Sequence, residues 1–386
     1  MSSVADMGAA IGPAAGRLEP ATDGILDTLA SAARLPHRKP ADYALGMNVL
    51  VTGGAGYIGS HAVKRLLESG HRVVAYDNLF RGHYAAIEIL RTLGPVTFVH
   101  GDVTDHALLT QALRHHSIDT VMHFAAMAYV GESVDDPLRY YRNNNDGLVT
   151  LLDACDVTGV QRVVFSSSCS TYGQPPDHLI PVPETCPQNP MSPYGRTKFH
   201  GEHILLDFAE MRRRQKRDFA IAFLRYFNVC GCDPSGLLGE DHEPETHLIP
   251  VLLQAAMGKR DHVALFGTDY PTPDGTCVRD YVHVTDLADA HILAMQHMKP
   301  GDTLTFNVGI GKGYSVREII ESVRRVTGKD LKVVEHPRRA GDVPRVFADP
   351  RKIQSELGWK AAFTSLDEIV GTAWRWFSAH PKGYRP

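Results

Sequence analysis

Thr52-Gly53-Gly54-Ala55-Gly56-Tyr57-Ile58-Gly59 joins an apolar run at residues 48–52 to an amphipathic stretch at residues 58–69. The glycines stand at G-x-x-G-x-x-G spacing. Gly53 permits a tight turn, Gly56 lets backbone approach a pyrophosphate, and Gly59 lets the helix pack closely on the strand. The N–H groups that open the helix then face the phosphates. A glycine triplet by itself is a weak signal. It gains force from its place between strand and helix, and from Asp77 at the end of the next apolar run, 24 residues after Gly53. A carboxylate there bonds both ribose hydroxyls and repels a 2′-phosphate, so the pattern predicts NAD in preference to NADP. Arg81 follows closely and keeps NADP open.

Working outward, apolar runs at 48–52, 72–76, 96–100, 120–124, 162–167 and 220–226 read as strands. Helical patterns at 58–69, 107–115, 147–158 and 194–211 lie between them. Strand followed by helix, repeated, predicts an α/β fold: a Rossmann-type doubly wound parallel sheet covered on both faces, with ligands at the carboxyl ends of the strands. Beyond about residue 230, Gly and Pro become frequent and the elements shorten, which predicts a smaller C-terminal α/β substrate-binding domain. The expected boundaries are 47–230 and 231–386, with some later segments free to return to the first domain. Residues 1–46 are Ala-, Gly- and Pro-rich and read as a loosely docked extension, with one short amphipathic pattern at 25–35.

The 386 residues suffice for one large or two modest domains, and 43% hydrophobic with 22% charged residues is ordinary for a soluble globular chain. A net charge of −4 provides no broad basic face, so nucleic acid is not an expected partner. No apolar run reaches the roughly 18 residues of a membrane helix, and no secretory signal pattern opens the chain. Cys155, Cys169, Cys186, Cys230, Cys232 and Cys277 form no paired C-x-x-C clusters. They read as reduced, mostly buried thiols of a cytoplasmic protein, and no metal is expected.

The chemistry is carried further along. Tyr194-Gly195-Arg196-Thr197-Lys198 opens a helical stretch, and i, i+4 spacing puts Tyr194 and Lys198 on one face. A free phenol titrates near about 10, too high for a base at neutral pH. A neighbouring ammonium and the positive ring of an oxidised nicotinamide favour the phenolate. Tyr194 then removes a hydroxyl proton while hydride leaves the same carbon. The strand end Phe165-Ser166-Ser167-Ser168 offers a hydroxyl to the reacting oxygen, with Ser168 the choice; others of these serines cap the strand. Asp102 closes the third strand and is read as a partner of the adenine amino group or as a turn residue. Small residues in His123-Phe124-Ala125-Ala126 let a cofactor lie against backbone, and His123 itself reads as packed.

Taken together, the glycine loop, Asp77-Asn78, the Ser168 segment, Tyr194/Lys198, Leu224-Arg225-Tyr226-Phe227-Asn228, Gly275-Thr276-Cys277-Val278-Arg279-Asp280-Tyr281 and Arg338-Arg339-Ala340-Gly341-Asp342 resemble the UDP-glucose 4-epimerases and the UDP-arabinose (UDP-xylose) 4-epimerases. The resemblance runs from about residue 47 to 384. It implies an isomerase that holds NAD permanently and pairs as a homodimer through helices such as 147–158 and 194–211. It implies Tyr194 as base, Lys198 as the residue that sets its pKa and holds the ribose, and Ser168 on the sugar 4-oxygen. Gly53, Gly56, Tyr57, Ile58, Gly59, Asp77, Asn78, Asp102, Val103, Phe124, Ala125, Ala126, Asn143 and Phe227 would meet NAD. Asn228 would hold the UDP pyrophosphate, and Leu248 and the strand of Ala264 and Phe266 would flank uracil. Arg279 and Arg339 would neutralise the diphosphate, and Asp342 would bond the nucleotide ribose. Two forked guanidinium groups independently suit a desolvated diphosphate.

The chain departs from the family pattern at Ala128, where many members carry Lys, and at His247, where Asn is frequent. Val346 replaces a bulkier residue of many bacterial members and could leave room for an N-acetyl group. Nucleotide-sugar dehydratases place an Asp-Glu pair just after the Ser168 position; here Cys169 and Ser170 stand there, and dehydration lacks its acid and base. A non-catalytic dinucleotide binder is the other alternative, and the intact Tyr194, Lys198 and Ser168 weigh against it.

Overall fold

Short β-branched segments buried on both sides build the centre of the molecule. The computed structural model describes residues 46–339 and 341–385. The extension expected before residue 46, with its pattern at 25–35, lies outside the described residues.

The main sheet is entered through β1 (Asn48–Thr52), β2 (Arg72–Asp77), β3 (Val96–His100), β4 (Thr120–His123), β5 (Arg162–Ser166) and β6 (Ala220–Tyr226). β7 (Asn228–Cys230), β8 (Val263–Phe266) and β9 (Val278–His283) follow outside it. β10 (Thr303–Val308) then returns, before β11 (Gly313–Ser315), β12 (Val333–His336) and β13 (Arg345–Val346). The seven-stranded sheet has the order β10-β6-β5-β4-β1-β2-β3, and every neighbouring pair is parallel. The chain runs from β1 outward to β3 and then crosses back to β4. That reversal leaves a crevice at the carboxyl ends of β1 and β4, where Thr52 lies opposite His123.

The helices are α1 (Tyr57–Glu68), α2 (Tyr84–Leu93), α3 (His106–His115), α4 (Val130–Asp135), α5 (Pro137–Tyr141), α6 (Gly147–Thr158), α7 (Pro193–Arg214), α8 (Leu248–Ala256), α9 (Val284–His297), α10 (Val316–Thr327), α11 (Arg351–Leu357) and α12 (Leu366–Ala379). One core joins Val63 and Leu66 of α1, Ile87 and Leu90 of α2 and Leu287 of α9 to Val49 and Val51. The other places Leu109 of α3, Leu148 and Leu151 of α6 and Leu205 of α7 against Leu50, Val121 and Val163. Alternate residues of one strand thus enter different cores, as the pleat requires.

β9 centres the smaller lobe and pairs with β7, β11 and β13, while β8 pairs with β12. Leu252, Ile319, Ile320, Val370 and Trp376 form its core. Residues beyond 231 are nevertheless divided between the lobes: β10 extends the main sheet beside β6, and α9 packs on α1, where Arg65 pairs with Asp289 at 2.7 Å. Cys155, Cys186, Cys230, Cys232 and Cys277 are buried, and all six thiols are unpaired. No helix among the described residues is long and apolar enough to cross a membrane.

His283 joins the lobes at the start of α9. Its Nδ1 accepts from Thr285 N at 3.2 Å and its Nε2 lies 3.0 Å from Thr372 Oγ1. Those partners require the neutral ring, and burial pulls its pKa down to about 3. A histidine held neutral in the fold but free to charge when unfolded stabilises above the unfolded value and loses that contribution as pH falls below it. The stability advantage of the wild type over His283→Gln is therefore expected to be largest above about pH 6.5 and to shrink on acidification. Urea midpoints of both proteins at about pH 7.5 and 5 check this; an unchanged difference refutes the neutral-ring assignment.

Candidate active site

A single cleft of about 1510 Å³ runs from the crevice between β1 and β4 into the smaller lobe. Every residue named above for cofactor, catalysis and sugar nucleotide lines it, with the exception of Asp102.

At one end the glycine loop behaves as its spacing requires. Gly53 has φ +71°, and a Cβ there would lie 2.8 Å from Ala125 N. A Cβ on Gly59 would fall 2.0 Å from Gly53 O, so turn and helix touch backbone to backbone. Gly56 caps α1 without a side-chain bond, and the first turn holds no acidic residue, so its N–H groups are open to an anion. Asp77 Oδ2 accepts from Ala55 N at 3.0 Å and Oδ1 from Leu79 N at 2.7 Å, which fixes the carboxylate at the wall of the cleft. Burial raises its pKa against those two bonds. Arg81, which left NADP open, forks onto Glu132 at 2.8 and 3.0 Å and lies 3.7 Å from the Tyr129 ring centroid. The cradle fits a dinucleotide with a free ribose. Asp102 stands beside the cleft: Oδ1 accepts from Thr104 N and Oγ1, and Oδ2 from Asn78 Nδ2 at 2.7 Å. Its neighbours Gly101 and Val103 line the cleft instead.

The segment of Tyr194 and Lys198 is held from beneath. Ser192 caps α7 by accepting from Gly195 N at 3.1 Å, and Pro193 opens the first turn. Tyr194 and Lys198 are buried on the inner face. Lys198 Nζ donates to Ser166 O at 2.7 Å. One turn on, buried Glu202 accepts from Arg225 through Nε at 2.9 Å and Nη2 at 2.6 Å, and from Ser167 Oγ at 2.5 Å. The pair ties α7 to the ends of β5 and β6. Ser168 Oγ accepts from Ser170 N at 3.1 Å and caps the turn Cys169–Thr171, which leaves its hydroxyl proton available to the cleft. His123 is packed as expected: its Nδ1 is 2.8 Å from Thr52 Oγ1 and burial pulls its pKa to about 3.

Burial dominates the electrostatics of the pair. Burial pushes the Tyr194 phenol well above the ordinary tyrosine range, Tyr226 adds to the rise and Ser168 opposes it. Burial also pulls Lys198 down to about 7, against the pull of Glu202. The lysine is itself desolvated and directed at Ser166 O.

A π-helical turn at Arg142–Asp146, unread in the sequence, steadies this face. Asn144 Nδ2 donates to Met127 O and Thr197 Oγ1, and Asn145 Nδ2 to Thr197 O. The run Asn143-Asn144-Asn145 within a helical stretch was the available signal. Glu202 and Arg225 were also missed, although Glu202 lies four residues past Lys198 on the same helix.

At the far end, Arg279 Nη1 donates to Val278 O at 2.9 Å and Nη2 lies 3.8 Å from Asp342 Oδ1. Arg279 makes no ion pair with Asp280, which is fully buried and accepts from Ile310, Gly311 and Ala348 N. The Arg339 guanidinium lies 3.9 Å from the centroid of the Phe266 ring. Leu248 opens α8, and Ala264 and Phe266 belong to β8.

A parallel sheet with a glycine loop at its switch point, facing a buried Tyr/Lys pair across one cleft, defines a dinucleotide-dependent enzyme of the extended short-chain dehydrogenase type. The family described as NAD dependent epimerase/dehydratase matches residues 49–309, and the chain belongs to it. UDP-glucose 4-epimerase of Halalkalibacterium halodurans is 49% identical over 339 residues, 88% of this chain and 98% of the relative. UDP-arabinose 4-epimerase 1 of Arabidopsis thaliana is 46% identical over 345 residues, 87% of this chain and 81% of the relative. The crystal structure of UDP-glucose 4-epimerase from Brucella ovis in complex with NAD superposes with a TM-score of 0.79 at 48% identity, covering 85% of this chain and 98% of that one.

Proposed function

We propose that the chain inverts carbon 4 of UDP-linked sugars, interconverting UDP-glucose and UDP-galactose. The observation that carries this reading is the lining of one cleft by Tyr194, Lys198 and Ser168 together with the glycine loop and the Arg279/Arg339 pair. Bound NAD supplies the hydride acceptor and donor and a positive ring that favours the phenolate. Tyr194 takes the 4-hydroxyl proton, and Ser168 holds the 4-oxygen. Lys198 holds the cofactor ribose from its place over Ser166 O. Arg279 and Arg339 grip the diphosphate, Asn228 supports it, Asp342 bonds the uridine ribose, and Leu248, Ala264 and Phe266 flank uracil. The 4-keto sugar would turn over while its nucleotide stays clamped, presenting its other face for return of the hydride to carbon 4, and Tyr194 would give its proton back to the 4-oxygen. Binding energy is thus placed away from the carbon that must rotate. Cys169 and Ser170 form a turn without carboxylates, which weighs against dehydration.

UDP-xylose and UDP-arabinose are the second reading, favoured by the 46% identity to an arabinose-type relative. Val346 is buried at the cleft wall, and its small side chain bears on N-acetylated sugars. We also place the protein in the cytoplasm, as its unpaired thiols suit. A homodimer through α6 and α7 is supported by exposed Val149, Val157, Leu206 and Met211 on those helices.

Incubation with a panel of UDP-hexoses, UDP-pentoses and UDP-N-acetylhexosamines, with products separated by chromatography, is expected to yield the 4-epimer of UDP-glucose at the highest kcat/KM. Exclusive turnover of pentoses would move the assignment to the second reading. Tyr194→Phe is expected to retain NAD and lose about 10²–10⁴-fold in kcat. Near-normal turnover would remove Tyr194 from the base role. Light scattering is expected at twice the mass of one chain, and Val149→Glu with Leu206→Glu at one; a monomeric wild type would refute the pairing.

A further inference from the structure

Beside the cleft, an eight-residue stretch, Glu240-Asp241-His242-Glu243-Pro244-Glu245-Thr246-His247, folds so that four alternating side chains converge. One donor atom from each of Glu240, His242, Glu245 and His247 lies within 4.8 Å of all the others. Glu240 Oε1 is 2.8 Å from His247 Nδ1 and 3.4 Å from His242 Nδ1. Glu245 completes the ring, with Oε1 3.2 Å from His247 Nδ1 and Oε2 3.5 Å from His242 Nδ1. Donors about 2.0–2.1 Å from a tetrahedral zinc ion stand about 3.3 Å apart, and these four contacts, two at Glu240 Oε1 and one at each Glu245 oxygen, lie between 2.8 and 3.5 Å.

These contacts are short enough for ion pairs. Glu240 is 3% exposed, and its Oε1 lacks an aligned hydrogen bond despite two imidazole nitrogens within ion-pair distance. His242 Nδ1 and His247 Nδ1 are likewise buried atoms without an aligned hydrogen bond. Three polar atoms that approach one another without such alignment face a common centre. Leaving all three unsatisfied would be costly in a buried site. Glu245 is oriented independently: its Oε1 accepts from Thr246 N and His247 N, both at 2.8 Å, as the carboxylate of a supported ligand set does.

We propose that Glu240, His242, Glu245 and His247 bind one divalent transition-metal ion, zinc by the nitrogen and carboxylate chemistry of the donors. The absence of C-x-x-C clusters had argued against a metal, but these donors lie elsewhere, and His247 is the residue that departs from the family's frequent Asn. The ion's role is structural. The His242 ring stands edge-on to Tyr57 of α1 at 6.2 Å, and Tyr129 meets His242 at 5.9 Å and His247 at 5.8 Å. Leu248 follows the last ligand and opens α8. The ion would fasten the loop that leads to the uracil-flanking helix against the loop that carries the cofactor.

The test uses the full chain freed of any affinity tag. Elemental analysis after purification in zinc-containing buffer is expected to find about one zinc per chain. After stripping with a chelator, calorimetric titration with zinc is expected to give one site and a rise in melting temperature. Cobalt(II) in its place is expected to give the intense visible absorption of a four-coordinate ion. His242→Gln with His247→Gln is expected to weaken zinc binding by at least about 100-fold. A folded, stripped wild-type chain that takes up neither ion stoichiometrically overturns the proposal, as does a folded double variant that binds zinc as tightly as the wild type. If the double variant does not fold, the wild-type titration and cobalt spectrum still decide. None of these readouts depends on which sugar is turned over.

Discussion

Glu202 and Arg225 meet out of reach of water, and the geometry of the active site rests on that meeting. The carboxylate also receives Ser167 Oγ and Gln188 Nε2, so its two oxygens take four donors from three other parts of the chain. Arg225 continues the network through Nη1 to Tyr172 OH, which donates to Asn307 on β10. A buried pair with such support is costly to break, about 3–5 kcal/mol when one partner is removed. Its placement matters more than its contribution to stability. It binds α7 to the ends of β5 and β6, and so sets where Tyr194 and Lys198 stand relative to Ser168.

On that rigid base the Tyr194 phenol is buried and raised, while the Lys198 ammonium is buried and lowered to about 7. At the other end, Arg279 lies against Asp342 and Arg339 against the Phe266 ring.

Much of this was legible in the sequence for identifiable reasons. The six strands before residue 230 were readable because β-branched residues buried on both faces leave unbroken apolar runs. The glycine loop was readable because only glycine tolerates contacts such as that of Gly59 with Gly53 O. Tyr194 and Lys198 were readable because helical spacing is local. What escaped depends on distant partners. β10 could not be assigned to the main sheet, because its residues become strand neighbours of β6 only after the smaller lobe has intervened. The direction of the Tyr194 shift escaped because burial belongs to the whole fold. The bonds of Asp102 to Asn78 and Thr104 depend on how β2 and β3 end side by side. The convergence of Glu240, His242, Glu245 and His247 was not legible, since it is a property of turn geometry.

The late return of β10 has a consequence for biosynthesis. When β6 leaves the ribosome, one rim of the main sheet is an unpaired row of peptide groups running Ala220–Tyr226, and its natural neighbour lies in residues not yet translated. A bare, apolar rim of that kind invites pairing with another nascent chain. The rim closes only once residues 303–308 are made, and any truncation before residue 303 removes the strand that closes it.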